Sequence, residues 1–485
     1  MDLSQEQKYA YDQFTRNENL FITGPGGTGK TRLIEHFVRS GKERGKIVQV
    51  CALTGCATIL LPKNSNAKTI HSWSGIRLCK GDNRSIVSNA VRNKGIKSAW
   101  RKVNVLIVDE VSMMSIKMLE VLEQIARSAR ANNSIFGGIQ VVFVGDFYQL
   151  PPVGTAGDPD TERFCFESGI WNRIFPKKNH IELKTIFRQT DPKYKEILSQ
   201  IRTDTLTESN IKVLEGYVNR VYDASKYNGC IPPKLYPTRA KADYLNKLMF
   251  TKLEGNEYEF GCVKKTSCKT FIESNTPLSI ANLSRGRELT VAEIEYETTQ
   301  LMNTSSFHET LCLKVGAVVM CTVNLDMDNG ICNGSQGIIT SFVETGKGEF
   351  PVVKFANGAE RTLLPHYIQS EEYPTIAVGQ IPLTLSWAMT IHKIQGATLP
   401  MASIDVGGQI FECGQTYVAL SRVESLDGLY LTAFQAHKIR TNERVIEFYR
   451  GLPALDYVIS ENPFKKYELQ EEEIEVDPTI KRIKI

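Results

Sequence analysis

Apolar residues in the first 185 positions fall in short runs separated by stretches of helical spacing. The runs are "NLFIT", "IVQVCAL", "VNVLIVDE", "IQVVFVGD" and "HIELKT", each a strand candidate. Between them, Leu33, Ile34, Phe37 and Val38 mark one helix face, and Ile116, Leu119, Leu122, Ile125 and Ala129 mark another. Strands alternating with helices across tight loops predict a parallel α/β sheet.

A second α/β unit is expected from residue 186, with strands in "KLYPT", "LTLSWA", "MASIDV" and "GLYLTAF". A long stretch rich in Val, Gly and Asn-Gly interrupts it, and this composition predicts antiparallel hairpins, placed at 325–375. The expected division is a first unit at 1–185, a second at 186–324 and 376–455, the β-rich insertion at 325–375, and a charged tail at 456–485.

Composition narrows the class. Hydrophobic residues make up 42% and charged residues 23%, ordinary for a globular protein, and 485 residues allow two to four domains. A net charge of +4 gives no global basic field, so a surface for nucleic acid must be local. The eleven cysteines form no Cys-x-x-Cys pair, which reads as reduced thiols without zinc. No secretory leader or membrane-spanning run is evident, so a soluble intracellular protein is expected, with cytoplasm, nucleus and viral replication compartment all open.

The chemistry begins at "GPGGTGKT", which fits the P-loop pattern from Gly24 to Thr31 after a strand and before a helix. Its glycines Gly24, Gly26, Gly27 and Gly29 would let backbone N–H groups curl around phosphates, with Pro25 and Thr28 in the same nucleotide-binding loop. Lys30 would hold the β/γ-phosphates and Thr31 would ligate Mg²⁺. "VLIVDE" supplies the partner strand end: Asp109 would hold Mg²⁺ and Glu110 would activate the attacking water. Together these predict hydrolysis of a nucleoside triphosphate. Near the start, Ser4 and Gln7 have capping-box spacing, and Gln7 could equally read an adenine edge.

The strand "VVFVGDFYQLPPVG" ends at the same sheet edge as the aspartate-glutamate pair. Gln149 there can donate and accept, so it could sense a γ-phosphate, and the prolines behind it would transmit a shift rather than absorb it.

The chain resembles the superfamily-one DNA helicases, and more narrowly the Pif-one family related to RecD and Dda. The resemblance rests on "LSQEQ", "GPGGTGKT", "TIHSWSGI", "LIVDEVSMM", "FGGIQVVFVGDFYQLPPV", "LKTIFRQTD", "LYPTRAKADYLN", "LTLSWAMTIHKIQGATL" and "QTYVALSRVESLDGLYL", spread over residues 3–435. It implies two RecA-like P-loop motor domains with ATP in the cleft between them, a small basic insertion and an SH3-like β-rich insertion. It assigns Gln7 to adenine, Gln149 to coupling, and Arg188 and Arg422 to the γ-phosphate across the cleft. Gln395 and Gly396 are divided between nucleotide and DNA. The implied activity is ATP-dependent 5′→3′ DNA unwinding in replication, repair or recombination. The expected partners are single-stranded DNA, duplex junctions and replication or repair proteins, with the enzyme a monomer away from membranes.

On the DNA side the resemblance implies Thr54, His71 and Trp73 from the first domain, and Thr390 and His392 from the second. Trp73 could equally be a core residue. Residues 77–102 hold eight Lys/Arg against one acid, among them Arg92, Lys94, Lys97 and Arg101. Within the resemblance this segment is a strand-separating wedge, and its bland alternative is a solvated basic loop. Two rival functions are an NTP-driven switch and an RNA helicase, separable by which polynucleotide stimulates ATP hydrolysis.

Overall fold

In the computed structural model the described residues run from 3 to 453, without 55–56, 59–60, 63–64, 66, 223–230, 267–289, 305–306, 324, 327–328, 330, 332–333, 347, 371–372 and 374. Cys56 and the expected tail at 456–485 lie outside them. Six strands form the first sheet: β1 (Leu20–Thr23), β2 (Val48–Ala52), β3 (Lys68–Thr69), β4 (Val105–Asp109), β5 (Gln140–Val144) and β6 (His180–Glu182). Their spatial order is β3-β2-β4-β5-β1-β6, and every pairing is parallel. β4 and β5 are buried at every position, which explains unbroken apolar runs in place of alternation. β3 has only two residues, too few to show as such a run.

Parallel pairing puts all the strand ends on one edge. β1 lies beside β5, and β5 beside β4, so the P-loop, the turn at Gly145 and the Asp109–Glu110 pair emerge together. The helix Lys30–Glu43 buries Leu33, Ile34, Phe37 and Val38 on one face of the sheet. The helix Ile116–Arg130 buries Leu119, Leu122, Ile125 and Ala129 on the other.

The second parallel sheet has four strands in the order Ala388–Thr390, Lys234–Tyr236, Ala402–Val406, Leu429–Phe434. Its core includes Tyr194, Ile197, Ile201, Leu235, Ile404 and Leu420. "LTLSWA" does not lie wholly in this sheet. Leu383–Leu385 pairs antiparallel with Val318–Cys321, and the chain crosses to the parallel sheet only at Ala388.

The antiparallel unit therefore exceeds the expected 325–375. Its five strands are Glu360–Thr362, Gly348–Phe355, Gln336–Thr345, Val318–Cys321 and Leu383–Leu385, in that order. The Asn357-Gly358 turn joins two of its strands, while its first and last strands read like parts of the neighbouring α/β pattern. The end of the second unit needs the same correction. The helix Glu443–Arg450 packs on the first unit: Val445 joins that core, and Phe448 stacks on Phe166 with centroids 4.3 Å apart.

Candidate nucleotide cleft and nucleic-acid face

The P-loop turns tightly because its glycines adopt backbone conformations closed to other residues. Gly27 has φ +85°, and a Cβ there would stand 2.5 Å from Cβ of Arg188. Lys30 Nζ donates to the carbonyls of Gly24 at 2.6 Å and Pro25 at 2.9 Å. Burial lowers the Lys30 pKa, and the carboxylates of Asp146, Glu110 and Asp109 oppose that shift. Thr31 is exposed at the mouth of the loop.

Asp109 is buried at the end of β4, and burial, then the charge of Glu110, push its pKa up to about 7. Glu110 sits in the left-handed region with φ 57° and ψ 39°. A non-glycine residue held there stores strain, as functional sites commonly do. Its N–H donates to Asp109 Oδ1 at 2.9 Å. From the second unit, Gln395 Nε2 donates to Glu110 Oε2 at 3.2 Å, so Gln395 stands on the nucleotide side. Gly396 follows it with φ +84°.

Arg188 and Arg422 converge on the P-loop. Each guanidinium comes within 3.6 Å of where a Cβ on Gly26 would stand. Arg188 Nη1 donates to the Ser421 carbonyl at 3.2 Å. Arg422 is 2% exposed, yet its hydrogen bonds run to neutral oxygens of Val418, Ala397 and Ser421. Burial, then repulsion from Arg188, pull its pKa down to about 10. Two crowded cations bonded to neutral acceptors are electrostatically matched to a polyphosphate. The glycine cradle, the lysine and the acidic strand end complete a donor set that fits ATP with Mg²⁺.

Gln7 realises the capping box: Ser4 N donates to its Oε1 at 3.1 Å, and its own N–H reaches Ser4 Oγ at 3.3 Å. Its Nε2 also donates to the Thr28 carbonyl at 3.1 Å, which attaches the first helix to the P-loop. Gln149 is buried, and its Oε1 has no hydrogen-bond partner among the described residues.

Some residues at this edge had no role assigned from the sequence. Asp146 is held by Arg202, and Tyr449 Oη donates to Asp146 Oδ1 at 3.1 Å. Tyr417 Oη accepts the Gly26 N–H at 3.0 Å, and burial raises its pKa to about 12, so it remains a neutral phenol. Arg202 and Tyr449 lie outside every quoted motif, and Tyr417 lies within "QTYVALSRV" without a role assigned to it, because their partners are far away in the chain.

The expected DNA residues divide. Trp73 is 6% exposed and packs against Trp100 with centroids 4.5 Å apart. Trp100 Nε1 donates to the Ser74 carbonyl at 3.2 Å. Trp73 is therefore packed as the core residue that the sequence left open beside the base contact. Thr54 is half-buried and accepts the Ala57 N–H at 3.2 Å, while Thr390 is buried. His71 is half-buried and lines a groove of about 170 Å³ with Leu78, Met113, Pro152 and Val153. Leu78 and Val153 are each 75% exposed at its rim.

The basic segment is a helix pair, not a loop: Asn83–Arg92 and Lys94–Lys102, capped by Asp82 and Asn93. Ile86, Ala90 and Trp100 face inward, while Arg92, Lys94 and Arg101 are exposed and Lys97 is half-exposed. Arg101 Nε also donates to the Ala129 carbonyl at 2.8 Å. The turn before the pair is fixed by buried Lys117, which donates to the Gly81 carbonyl at 2.6 Å and ion-pairs with Asp158. Among the described residues, no helix is long and apolar enough to cross a membrane.

Two parallel-sheet units facing each other across a P-loop, with arginines approaching the phosphate cradle, define a two-domain P-loop nucleotide-binding protein. The family model of the PIF1-like helicase matches residues 2–220, and that of the DNA helicase Pif1 2B domain matches 300–342. The ATP-dependent DNA helicase RRM3 of Saccharomyces cerevisiae is 32% identical, over 93% of this chain and 68% of its own. The human ATP-dependent DNA helicase PIF1 is 30% identical, over 93% of this chain and 64% of its own. The crystal structure of Pif1 helicase from Candida albicans superposes with a TM-score of 0.75 at 32% identity, over 93% of this chain and 100% of that one. The chain belongs to the PIF1-like helicase family, and its two α/β units are RecA-like domains. It spans about two thirds of the length of the yeast and human helicases.

Proposed function

We propose that the protein is an ATP- and Mg²⁺-dependent DNA helicase that moves 5′→3′ along single-stranded DNA and opens duplex junctions. The observation that carries this reading is the bond from Gln395 to Glu110. It joins the segment expected to follow DNA in the second domain to the carboxylate expected to activate water in the first. ATP in the cradle would supply the phosphoryl transfer whose free energy drives motion. Lys30 and the helix N-terminus would hold phosphate oxygens, and Thr31 with Asp109 would hold the metal, which would offset phosphate charge. Glu110 takes the proton of the attacking water, oriented by Gln395. Arg188 and Arg422 bring fixed charge to the γ-phosphate without reorganisation. Gln149 offers its unpartnered Oε1 as the sensor between the sites, and Gln7 exchanges a cap or loop bond for adenine.

Cleft closure and opening would alternate the grip of the two domains on the strand. Thr54, His71, Thr390 and His392 line the expected path, the helix pair at 83–102 forms the strand-separating side, and the antiparallel unit covers the channel. A monomer acting with replication, repair or recombination proteins is the corresponding cellular role. The test uses a partial duplex with a single-stranded tail, ATP and Mg²⁺. A 5′-tailed substrate should be unwound and a 3′-tailed one should remain largely intact. Unwinding of the 3′-tailed substrate alone would overturn the polarity. ATP hydrolysis indifferent to DNA would favour a nucleotide switch, and stimulation by RNA alone an RNA helicase.

A further inference from the structure

The side chain of Phe411 is 57% exposed, and its ring lies nearly parallel to that of His392, 17° between planes and 6.2 Å between centroids. Isolated exposed apolar residues are ordinary on protein surfaces. This one is different because of where it stands and what it is tied to. His392 follows the strand Ala388–Thr390, and Phe411 follows the strand Ala402–Val406 of the same parallel sheet. Both therefore project from the carboxyl ends of their strands, the edge at which open α/β sheets bind ligands.

The segment carrying Phe411 is held rigidly from behind. Phe411 N–H donates to Gln415 Oε1 at 3.2 Å, and the fully buried Gln415 bonds the Pro237 carbonyl at 3.4 Å. Three residues on, Gly414 has φ +74° and packs against the backbone of Tyr148 and Gln149 in the first domain, so closely that a Cβ there would stand 2.7 Å from the Gln149 carbonyl oxygen. The Gly414 N–H donates to the Arg440 carbonyl at 3.1 Å, and the exposed Arg440 sets a cation beside this segment, near enough to act on the Cys413 thiol. Glu412 is the opposing charge, its Oε1 turned back to accept the Cys413 N–H at 2.9 Å.

We infer that Phe411 and His392 form a two-ring platform on which a base of the single strand stacks. The inference rests on the single-strand binding proposed above. A fixed ring with an open face suits a base of any sequence, because every base has a π-face. The neighbouring guanidinium suits the backbone phosphate. A base seated there would press on the 411–414 segment, whose far end touches Gln149 and leads through Tyr417 to Arg422. Stacking and the nucleotide cleft thus share one short piece of chain.

The test measures binding of fluorescent oligothymidylate, and of an abasic oligonucleotide of equal length, by anisotropy at fixed salt. Phe411→Ala should weaken binding of the base-bearing strand about five- to a hundred-fold and barely change abasic binding. Phe411→Trp should restore it. If the unaltered protein binds neither strand, the single-strand reading fails. If the unaltered protein binds and Phe411→Ala binds equally well, the platform is refuted while that reading stands. Equal losses on base-bearing and abasic strands also refute stacking.

Discussion

Asp146 and Arg202 form a buried ion pair that ties the tip of β5 to the second domain. Arg202 Nη2 lies 2.9 Å from Asp146 Oδ1, and its Nε contacts both carboxylate oxygens at 3.1 and 3.3 Å. Burial pulls the Arg202 pKa down, but the carboxylate outweighs it and holds the guanidinium well above its ordinary range. The cation also sits 4.4 Å over the ring of Tyr148 and 5.0 Å over that of Tyr449. Arg202→Met should cost about 3–5 kcal/mol, because it strands a buried carboxylate. The double variant Asp146→Asn/Arg202→Met should recover part of that loss. Denaturant unfolding measures both, and a double variant no more stable than Arg202→Met would show that the unpaired charge is not the cause.

Lys30→Ala and Glu110→Gln should separate binding from turnover. The first removes the cation from the phosphate cradle, so nucleotide affinity and hydrolysis should both fall. The second keeps size and polarity and removes the base, so ATP should still bind while hydrolysis drops by about 10²-fold or more. Gln395 would retain a partner in the introduced amide oxygen. Normal turnover by Glu110→Gln would remove this carboxylate from the chemistry.

The raised Asp109 carboxyl makes the site sensitive to pH. Its pKa rises from an ordinary 3.8 to about 7, so between those values the folded protein holds a proton that the unfolded chain has released. The stability this contributes is fully present below the unfolded pKa and is lost as pH rises through about 7. Asp109→Asn should flatten that part of the stability profile. Mg²⁺ binding should strengthen as pH rises across the same window, because a metal needs the ionised carboxylate. Calorimetric titration with Mg²⁺ and ATP analogue at pH 6 and 8 checks the sign.

The sheet edge was legible because its signals are local. A P-loop is eight consecutive residues, and β4 and β5 announce themselves as unbroken apolar runs. The arginines were legible through motif resemblance, and the structure places both against Gly26. What the sequence concealed depends on distance along the chain. Nothing near Arg202 indicates that Asp146 waits 56 residues away, or that Tyr449 lies 303 residues from the same carboxylate. Trp73 was open for a related reason: an aromatic ring suits a base or a core equally, and only the fold shows Trp100 packed beside it. The antiparallel unit was bounded too narrowly because Leu383–Leu385 reads like the parallel strand it leads into.

The helix pair at 83–102 supplies the last prediction. Its positive charge lies on the outer face, while Trp100 and Ile86 anchor the inner one. Replacing Arg92, Lys94 and Lys97 by Gln should therefore leave the fold intact. Arg101 is excluded because its guanidinium also holds the Ala129 carbonyl. If the three cations meet a DNA backbone, the salt dependence of binding should weaken by about 0.7 in log–log slope for each single-strand phosphate no longer neutralised, and by about 0.9 for each duplex phosphate. Duplex separation should fall more than hydrolysis stimulated by single-stranded DNA, because the helices pack against Ile116–Arg130, on the sheet face opposite the P-loop helix. Lys117→Met tests position rather than charge. It releases the turn at Gly81 and leaves Asp158 unpaired, so unwinding should fall while the salt slope is retained. Unchanged unwinding in both variants would return this face to ordinary solvated surface.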